Sequence, residues 1–316
     1  MAANFSSNKG GTADACPSFH LGRTGIFSLL NKKEESALKN IGIIGAGSIA
    51  EAMISGLVHE GMYEPNRIYV SNKSNVERLS YLNEKYQVNV SFNKQEIFRN
   101  VDFIILSMKP KDAQEALCSI RQYINSNHLV ISVLAGISTT AIEEMLGENI
   151  PVIRAMPNTS ASIRLSATAI AKGTYATDEH LFIAKKLFEA IGIVEIVEEE
   201  QLDAVTGLAG SGPAYIYYLV EAMERAAKEI GLEGDTARSF IIQTLCGASE
   251  MLKKSNKEAS ILRKEVTSPG GTTEAGIKVL ESNGFEETIV ECVKRAKERS
   301  NELKLSFQER LLKERA

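Results

Sequence analysis

The run Ile41-Gly42-Ile43-Ile44 leads directly into Gly45-Ala46-Gly47-Ser48-Ile49-Ala50, and this stretch decides the fold. Its first part is an apolar run of strand length, and its second part has the spacing Gly-x-Gly-x-x-Ala at the start of a helical pattern. In that spacing the first glycine makes a tight turn, the second lets the backbone approach a pyrophosphate, and the small last residue packs the helix against the strand. The free N–H groups at the start of the helix attract the anion. The residues predicted to bind a dinucleotide here are Gly45, Ala46, Gly47, Ser48, Ile49 and Ala50.

Outward from this stretch, short apolar runs alternate with helical segments as far as about residue 197. The runs predicted as strands are 41–44, 67–70, 88–90, 101–107, 129–134, 152–156, 167–171 and 193–197. Runs such as Phe103-Ile104-Ile105-Leu106 are apolar without alternation, as expected of strands that are covered on both faces. Strands and helices that alternate at this spacing predict βαβ units and a parallel sheet.

After Glu200 the strand signals end and only helical segments follow. These segments are predicted over 213–230, 236–253, 273–282 and 286–312. Apolar residues from Ile216 to Ile230 lie on one stripe, with Pro213 in the first turn of that helix and Gly231 at its end. This stripe and the amphipathic segment 286–303 carry more apolar surface than a small helical domain covers alone, which predicts an obligate homodimer.

The predicted fold class is therefore α/β: an N-terminal Rossmann domain with a doubly wound sheet, followed by an all-α dimerisation domain. The Rossmann domain is assigned to residues 41–199 and the helical domain to residues 200–316. Residues 1–40 are rich in Ser, Asn, Gly and Ala, without a sustained period. No apolar segment follows a basic start there, and three acidic residues weaken a transit peptide, so we predict a flexible N-terminal extension.

The composition excludes several classes of function. The chain has 316 residues, of which 44% are hydrophobic and 24% charged, and this balance is typical of globular proteins. A net charge of −4 and the absence of Trp provide no surface for nucleic acid, and no apolar run is long enough to cross a membrane. The four Cys and four His are scattered, so we predict reduced thiols, no metal site and a cytoplasmic location.

The end of the second predicted strand bears on which dinucleotide binds. Proteins that bind NAD place an Asp or Glu there to hold the ribose 2′-hydroxyl. Ser71-Asn72-Lys73-Ser74 occupies the position here, with no carboxylate before Glu77. Hydroxyl, amide and ammonium donors suit a 2′-phosphate, although an ordinary solvated turn is the alternative. We predict that Ser71, Asn72 and Lys73 favour NADPH, with NADH as a second cofactor, and that Ser71→Asp inverts the preference.

Two further turns follow strands of the predicted parallel sheet, at the edge where ligands of open sheets bind. Met108-Lys109-Pro110 is predicted to border the cofactor, with a solvated surface lysine as the alternative for Lys109. Asn158 is predicted to place an amide near the nicotinamide, with a purely structural turn as the alternative.

Two unusual segments stand at helix starts in the second half of the chain. They are Ala209-Gly210-Ser211-Gly212-Pro213-Ala214-Tyr215 and Val266-Thr267-Ser268-Pro269-Gly270-Gly271-Thr272-Thr273-Glu274. The Ser-Pro-Gly-Gly-Thr-Thr run in the second has few Cβ obstacles, three hydroxyls and N–H groups at a positive helix end. That chemistry suits a small carboxylate. Taken alone, the segment is equally compatible with a well-capped loop.

Six segments, in this order, resemble the pyrroline-5-carboxylate reductase family. They are Gly45 to Ala50, Met156-Pro157-Asn158-Thr159, Asp203-Ala204-Val205-Thr206, Gly210 to Tyr215, Gln243-Thr244 with Gly247-Ala248, and Val266 to Thr273. The resemblance covers roughly residues 41–303, and the last segment is the one most specific to the family. The chain departs from the common pattern at Ser160 and at Arg164-Leu165-Ser166, where many relatives have a proline and a Gly-Glu-Gly-like turn.

The resemblance implies an oxidoreductase that reduces 1-pyrroline-5-carboxylate to L-proline with NADPH or NADH, the last step of proline biosynthesis. It also implies a helical domain that interleaves with that of a partner, in dimers that often assemble further. By motif matching, Ser268, Gly270, Gly271, Thr272 and Thr273 would hold the substrate's carboxylate and ring nitrogen. Thr273 would be the hydrogen-bond partner of that nitrogen, and thus the catalytic residue.

Two other functions remain open at this point. A β-hydroxyacid dehydrogenase of similar plan needs a base, usually a lysine on the first helix of the second domain, but the run from Pro213 to Met223 contains no lysine. Reduction of an imine needs only orientation and one proton donor. A non-catalytic NADP(H)-binding sensor is the second alternative, and an intact Ser-Pro-Gly-Gly-Thr-Thr run argues against it.

Overall fold

The computed structural model describes residues 39–232 and 234–315, so nearly all of the predicted extension over residues 1–40 lies outside the described residues. Within the described part, the strands are β1 (Ile41–Ile44), β2 (Ile68–Ser71), β3 (Asn89–Val90), β4 (Phe103–Leu106), β5 (Leu129–Ser132), β6 (Val152–Met156), β7 (Ser166–Lys172) and β8 (Gly192–Ile196). They form one sheet in the order β3-β2-β1-β4-β5-β6-β7-β8. Every strand predicted from the sequence is thereby confirmed, with bounds that differ by a few residues at most.

The sheet is parallel from β3 to β6, as predicted, but β7 runs antiparallel to β6. The expectation of a parallel sheet is therefore wrong at this end. Only nine residues separate β6 from β7, and they make a short turn instead of a helical crossover, so the chain reverses direction. The helix α6 (Asp178–Glu189) then returns the chain, and β8 pairs parallel to β7.

Helices cover both faces of the sheet, which confirms the doubly wound arrangement. The helices that alternate with strands are α1 (Ser48–His59), α2 (Val76–Tyr86), α3 (Lys94–Asn100), α4 (Ala113–Ile120), α5 (Thr139–Leu146) and α6. One apolar layer contains Ile41 and Ile43, and the opposite layer contains Ile44 and Ile104. Side chains of one strand alternate between the two layers because successive residues of a strand face opposite ways.

Only helices follow β8 in the described residues. They are α7 (Leu202–Val205), α8 (Gly212–Glu229), α9 (Gly234–Ser255), α10 (Ala259–Glu265), α11 (Thr272–Ser282) and α12 (Phe285–Arg315), with a π-helical turn at Thr206–Gly210. The predicted change from strands to helices at residues 199/200 lies between the end of β8 and the start of α7. The short helices α7 and α10 and the π-helical turn had no counterpart in the predictions. None of the helices in the described part is long and apolar enough to cross a membrane.

The end of α12 packs against the sheet. Phe307 and Leu311 are 3% and 7% exposed and belong to the apolar layer that contains Ile104 and Leu146. Leu303, one helical turn earlier, lies against Gly136, whose added Cβ would be 3.0 Å from that of Leu303. The last turns of the chain therefore complete the core of the Rossmann half, which a division at residues 199/200 does not anticipate.

Truncating Leu311 tests this packing. We expect Leu311→Ala to lower the free energy of unfolding by about 2–3 kcal/mol, because it removes buried methyl groups and leaves a cavity. Leu305→Ala is the matched control, since Leu305 is 50% exposed on the same helix, and it should change stability by less than about 0.5 kcal/mol. Urea denaturation measures both, and equal effects of the two variants would contradict the packing.

Candidate active site

The glycine-rich loop between β1 and α1 has the geometry of a phosphate cradle. Gly45 has φ +110°, its N–H donates to Ser71 O at 2.7 Å, and an added Cβ would be 2.5 Å from the Ser107 carbonyl carbon. Gly47 is the N-cap of α1, no side chain caps that helix, and an added Cβ there meets no atom within 4 Å. The first N–H groups of α1 therefore face open space, which fits a pyrophosphate.

The other residues of the fingerprint serve this geometry in different ways. Ala50 is fully buried, so the helix lies close to the sheet, as the small residue predicts. Ile49 is partly buried against the core, and Ser48 is exposed at the first turn. Ala46 uses its carbonyl oxygen to accept a hydrogen bond from the Arg78 Nε at 2.7 Å.

Arg78 holds the loop from outside, and sequence reasoning missed it. Besides Ala46, its guanidinium contacts Glu51 on α1, with Nη2 2.6 Å from Oε2. Glu51 also accepts from Lys85, Tyr81 and Tyr86. Burial raises the pKa of Glu51, but the hydrogen bonds from Lys85 and Arg78 outweigh burial and lower it to about 2. The signal in the sequence was the acidic residue directly after Ala50, in the first turn of the helix.

Replacing Gly47 tests the cradle. The backbone at Gly47 (φ −78°, ψ −169°) suits any residue, so we expect Gly47→Val to change the free energy of unfolding by less than about 1 kcal/mol. The added side chain would occupy the space of the pyrophosphate, and the Kd for NADPH should rise about 10–100-fold. Calorimetric titration measures the affinity. Unchanged binding by the folded variant would exclude this loop as the phosphate site.

The turn after β2 places the three predicted 2′-phosphate ligands very differently. Ser71 is 2% exposed, so its hydroxyl does not face the solvent. Asn72 uses both polar atoms of its amide on the backbone of Asn75, as donor and as acceptor. Lys73 is exposed, and its ammonium forms an ion pair with Glu115 of α4 at 2.6 Å. Ser71→Asp would bury a carboxylate, which makes it a poor test of cofactor preference.

The turn after β4 lies directly beside the glycine-rich loop. Ser107 Oγ donates to Gly45 O at 3.0 Å, which joins the ends of β1 and β4. Met108 is partly buried, while Lys109 and Pro110 are exposed at the start of a 3₁₀ turn that leads to α4. These residues lie on the carboxyl edge of the sheet, where a bound nucleotide would pass.

Asn158, after β6, joins the two halves of the chain. Its Nδ2 donates to Ala209 O in the π-helical turn at 3.1 Å, and its Oδ1 accepts from Ser160 N at 3.1 Å. Its backbone N–H donates to the Ser166 hydroxyl. The whole side-chain amide is thereby engaged, which favours the structural alternative for this residue. Ser166 is one of the residues at which the chain departs from the family pattern, and its hydroxyl supports the turn after β6.

A buried ion cluster lies at the same junction, and no motif or spacing in the sequence indicates it. The Arg154 guanidinium is fully buried in β6, 3.5 Å from Glu199 and 3.9 Å from Asp203. Asp203, in α7, accepts hydrogen bonds from Ser300 Oγ and Lys304 Nζ of α12, both at 2.7 Å. Burial raises the pKa of Asp203, but these hydrogen bonds and the nearby positive charges hold it below its usual value. The carboxylate of Asp203 therefore connects the sheet to α12.

The Ser-Pro-Gly-Gly-Thr-Thr loop lies between α10 and α11. Gly270 has φ +73°, its N–H donates to Glu274 Oε2 at 2.7 Å, and Gly271 is the N-cap of α11. Ser268, Gly270, Thr272 and Thr273 are exposed, and Gly271 is partly exposed. The loop thus presents hydroxyls and helix N–H groups to the solvent, and its use as a carboxylate site stays a prediction.

Within one chain this loop does not meet the cofactor edge. Among the described residues, its hydrogen bonds stay within residues 263–275. An added Cβ at Gly270 would meet no atom within 4 Å. The stripe on α8 is only partly covered, since Ile216 is 48% and Ile230 79% exposed whereas Ala227 is buried. Within the described residues of one chain, the two sets of predicted site residues therefore lie apart.

Comparisons with known proteins agree with both halves of this description. Residues 199–303 match the model described as pyrroline-5-carboxylate reductase dimerisation, and residues 40–136 match the model described as NADP oxidoreductase, coenzyme F420-dependent. Pyrroline-5-carboxylate reductase 2 of Bacillus subtilis is 51% identical over 270 residues, which cover 85% of this chain and 97% of the relative. The Arabidopsis thaliana pyrroline-5-carboxylate reductase is 39% identical over 84% of this chain and 96% of the relative.

Solved structures lead to the same family. The pyrroline-5-carboxylate reductase of Coxiella burnetii superposes with a TM-score of 0.79 at 36% identity, covering 84% of this chain and 99% of that one. The Plasmodium falciparum pyrroline carboxylate reductase, solved with NADP bound, gives a TM-score of 0.77 at 26% identity, covering 84% of this chain and 98% of that one. With its sheet half, its helical half and its glycine-rich loops in the same order, the chain belongs to the pyrroline-5-carboxylate reductase family.

Proposed function

We propose that this protein reduces 1-pyrroline-5-carboxylate to L-proline with NADPH, the last step of proline biosynthesis. The observation that carries the proposal is the exposed Ser-Pro-Gly-Gly-Thr-Thr loop at the start of α11, in a chain whose other half has a phosphate cradle. A sensor that only binds the nucleotide has no use for that loop. Substrate-dependent oxidation of NADPH, followed by its absorbance, tests the proposal. Nucleotide binding without turnover would favour the sensor.

The cofactor and the substrate loop would meet between two chains. The loop after β1 and the turns after β2 and β4 would hold the nucleotide of one protomer. The Ser-Pro-Gly-Gly-Thr-Thr loop of its partner would then close over the nicotinamide when the α8 stripes pack together. The exposure of both the loop and the stripe in one chain supports this arrangement.

The residues of the loop would divide the work of binding and orientation. Ser268, Thr272 and the first N–H groups of α11 would hold the substrate carboxylate at the positive end of that helix. Gly270 and Gly271 would shape the loop, because their own N–H groups donate to Glu274 Oε2 and Ser268 O. Thr273, in the first turn of α11, would face the ring nitrogen. The bound reduced nicotinamide supplies a hydride to the imine carbon, so the protein's task is to align that carbon and hydrogen-bond the nitrogen.

Preference for NADPH is best tested at Asn72. Asn72→Asp keeps the oxygen that accepts from Asn75 N but loses the donor to Asn75 O, so the turn keeps one of its two hydrogen bonds, and it adds a charge that repels a 2′-phosphate. We expect kcat/KM for NADPH to fall about tenfold, as for one unfavourable contact of about 1.4 kcal/mol, with NADH little affected. Steady-state kinetics with both cofactors measures this. An equal loss for the two would contradict a role of the turn in selectivity.

Two further properties stay predictions. The dimer is expected to be obligate, and light scattering that shows an active monomer would contradict it. Assembly of dimers into a larger oligomer and a cytoplasmic location follow only from the resemblance and from the scattered cysteines, respectively.

A further inference from the structure

The cofactor edge contains an ion pair that joins elements on either side of the glycine-rich loop. In the sheet, β1 lies between β2 and β4, so the glycine-rich loop after β1 lies between the turns after those two strands. Lys73 belongs to the turn after β2, and Glu115 belongs to α4, which follows β4. Their 2.6 Å contact between Nζ and Oε2 therefore links the two sides of the proposed nucleotide site.

The ion pair leaves the 2′-phosphate site without a cation of its own. Ser71 is buried and Asn72 bonds to Asn75, so Lys73 is the charged donor of this turn. Its ammonium is neutralised by Glu115, and Asp112 adds a second negative charge nearby. Arg78, the other cation that reaches the glycine-rich loop, is itself bound to Glu51.

The pair is built to exchange partners rather than to stabilise the fold. The side chains of Lys73 and Glu115 are 68% and 70% exposed, so packing holds neither of them. Exposed ion pairs contribute little to stability, and a doubly charged phosphate competes well for a lysine. A 2′-phosphate that binds Lys73 must therefore displace the Glu115 carboxylate and then lie near its negative charge. A 2′-hydroxyl need do neither.

We propose that Glu115 is a specificity-determining residue that weakens the discrimination in favour of the 2′-phosphate by competing for Lys73. This inference rests on the proposed nucleotide site and adds a role that the fingerprint does not contain. It accounts for a turn that carries phosphate ligands and yet stays compatible with NADH. A lysine freed from Glu115 binds the 2′-phosphate more tightly.

Binding of nucleotide fragments tests the proposal without turnover. Calorimetry at low ionic strength, where charges are screened least, compares 2′,5′-ADP, which carries the phosphate, with 5′-AMP, which does not. We expect Glu115→Gln to lower the Kd for 2′,5′-ADP about three- to fivefold, which is the size of one exposed charge interaction, and to leave the Kd for 5′-AMP unchanged. Glu84→Gln is the control, because it removes the same charge from an exposed site on α2.

A double-mutant cycle separates competition for Lys73 from simple repulsion. Lys73→Met should weaken the binding of 2′,5′-ADP but not that of 5′-AMP. In the Lys73→Met background, Glu115→Gln should change the affinity for 2′,5′-ADP much less than it does in the parent protein. Loss of 2′,5′-ADP affinity in Glu115→Gln, or an equal change in both nucleotides or in the control, would overturn the proposal. If the parent protein binds neither nucleotide, the proposed nucleotide site itself fails, and this inference with it.

Discussion

Thr273→Ala is expected to lower kcat by about ten- to a thousandfold, because it removes a hydroxyl that acts in the transition state. Reduction of the imine leaves a ring nitrogen that must end protonated. The Thr273 hydroxyl, in the first exposed turn of α11, would either donate to this nitrogen or order a water that does. A threonine is a poor acid at neutral pH, so orientation and hydrogen bonding carry its role.

Two comparisons separate this role from a structural one. Affinity for NADPH should stay nearly intact, because Thr273 is on the substrate loop and not on the cradle. Thr273→Ser should recover part of the lost kcat, since it keeps the hydroxyl. An alanine variant that turns over at the parent rate would show that the proton comes from bulk water or from another residue of the loop.

Arg154→Met is expected to lower the free energy of unfolding by about 3 kcal/mol, because it removes one member of a buried ion cluster. The loss is at the low end for a buried cation, since Glu199 keeps its hydrogen bonds from Thr139 and Asp203 keeps those from Ser300 and Lys304. The methionine fills a similar volume, so the loss comes from charge and not from a cavity.

A matched variant at the surface tests this explanation. Arg225 pairs with Glu229 on α8 at 3.9 Å, with side chains 82% and 73% exposed, so Arg225→Met should cost less than about 1 kcal/mol. Chemical denaturation compares the two. If Arg154→Met is as stable as the parent, the cluster does not fasten α7 and α12 to the sheet.

The sequence predicted the sheet half well because its signals are local. The run 152–156 is apolar except for Arg154 and lies between turn residues, and β6 has the same bounds. Direction is not local, and this is why the antiparallel β7 was missed. An apolar strand reads the same whichever way it runs, and only the length of the connection after Met156 carries the information.

The junction between the halves was the hardest part to predict. Arg154 lies within the predicted strand 152–156, but its partners come from residues 45 and 49 positions further along the chain. Asn158 carries an amide that suits a ligand, but this amide donates a hydrogen bond to Ala209 O. That contact depends on a π-helical turn, which the apolar periodicity of the sequence does not indicate. In the same way, Phe307 and Leu311 read as one face of a surface helix until the sheet is in place. All three depend on contacts between distant residues, which periodicity does not record.

The candidate site shows the same division. The motifs predicted the cradle at Gly45–Gly47 and the loop at Ser268–Thr273, because each needs a backbone shape that specific residues make. No motif indicates whether the two meet within one chain or between two. The proposal of a shared site rests on the exposure of the loop and of part of the α8 stripe in the folded protein.

The central claim is a reductase whose active site is shared between two chains, and co-expression of two defective variants tests it most directly. Gly47→Val should disable the cradle, and Thr273→Ala should disable the loop. If each site takes its cradle from one chain and its loop from the other, a mixed dimer has one site with both defects and one site with none. Random pairing then predicts about a quarter of the parent's substrate-dependent NADPH oxidation, well above either variant alone. Activity that stays at the average of the two variants would contradict a shared site, and a parent without activity would contradict the reductase itself.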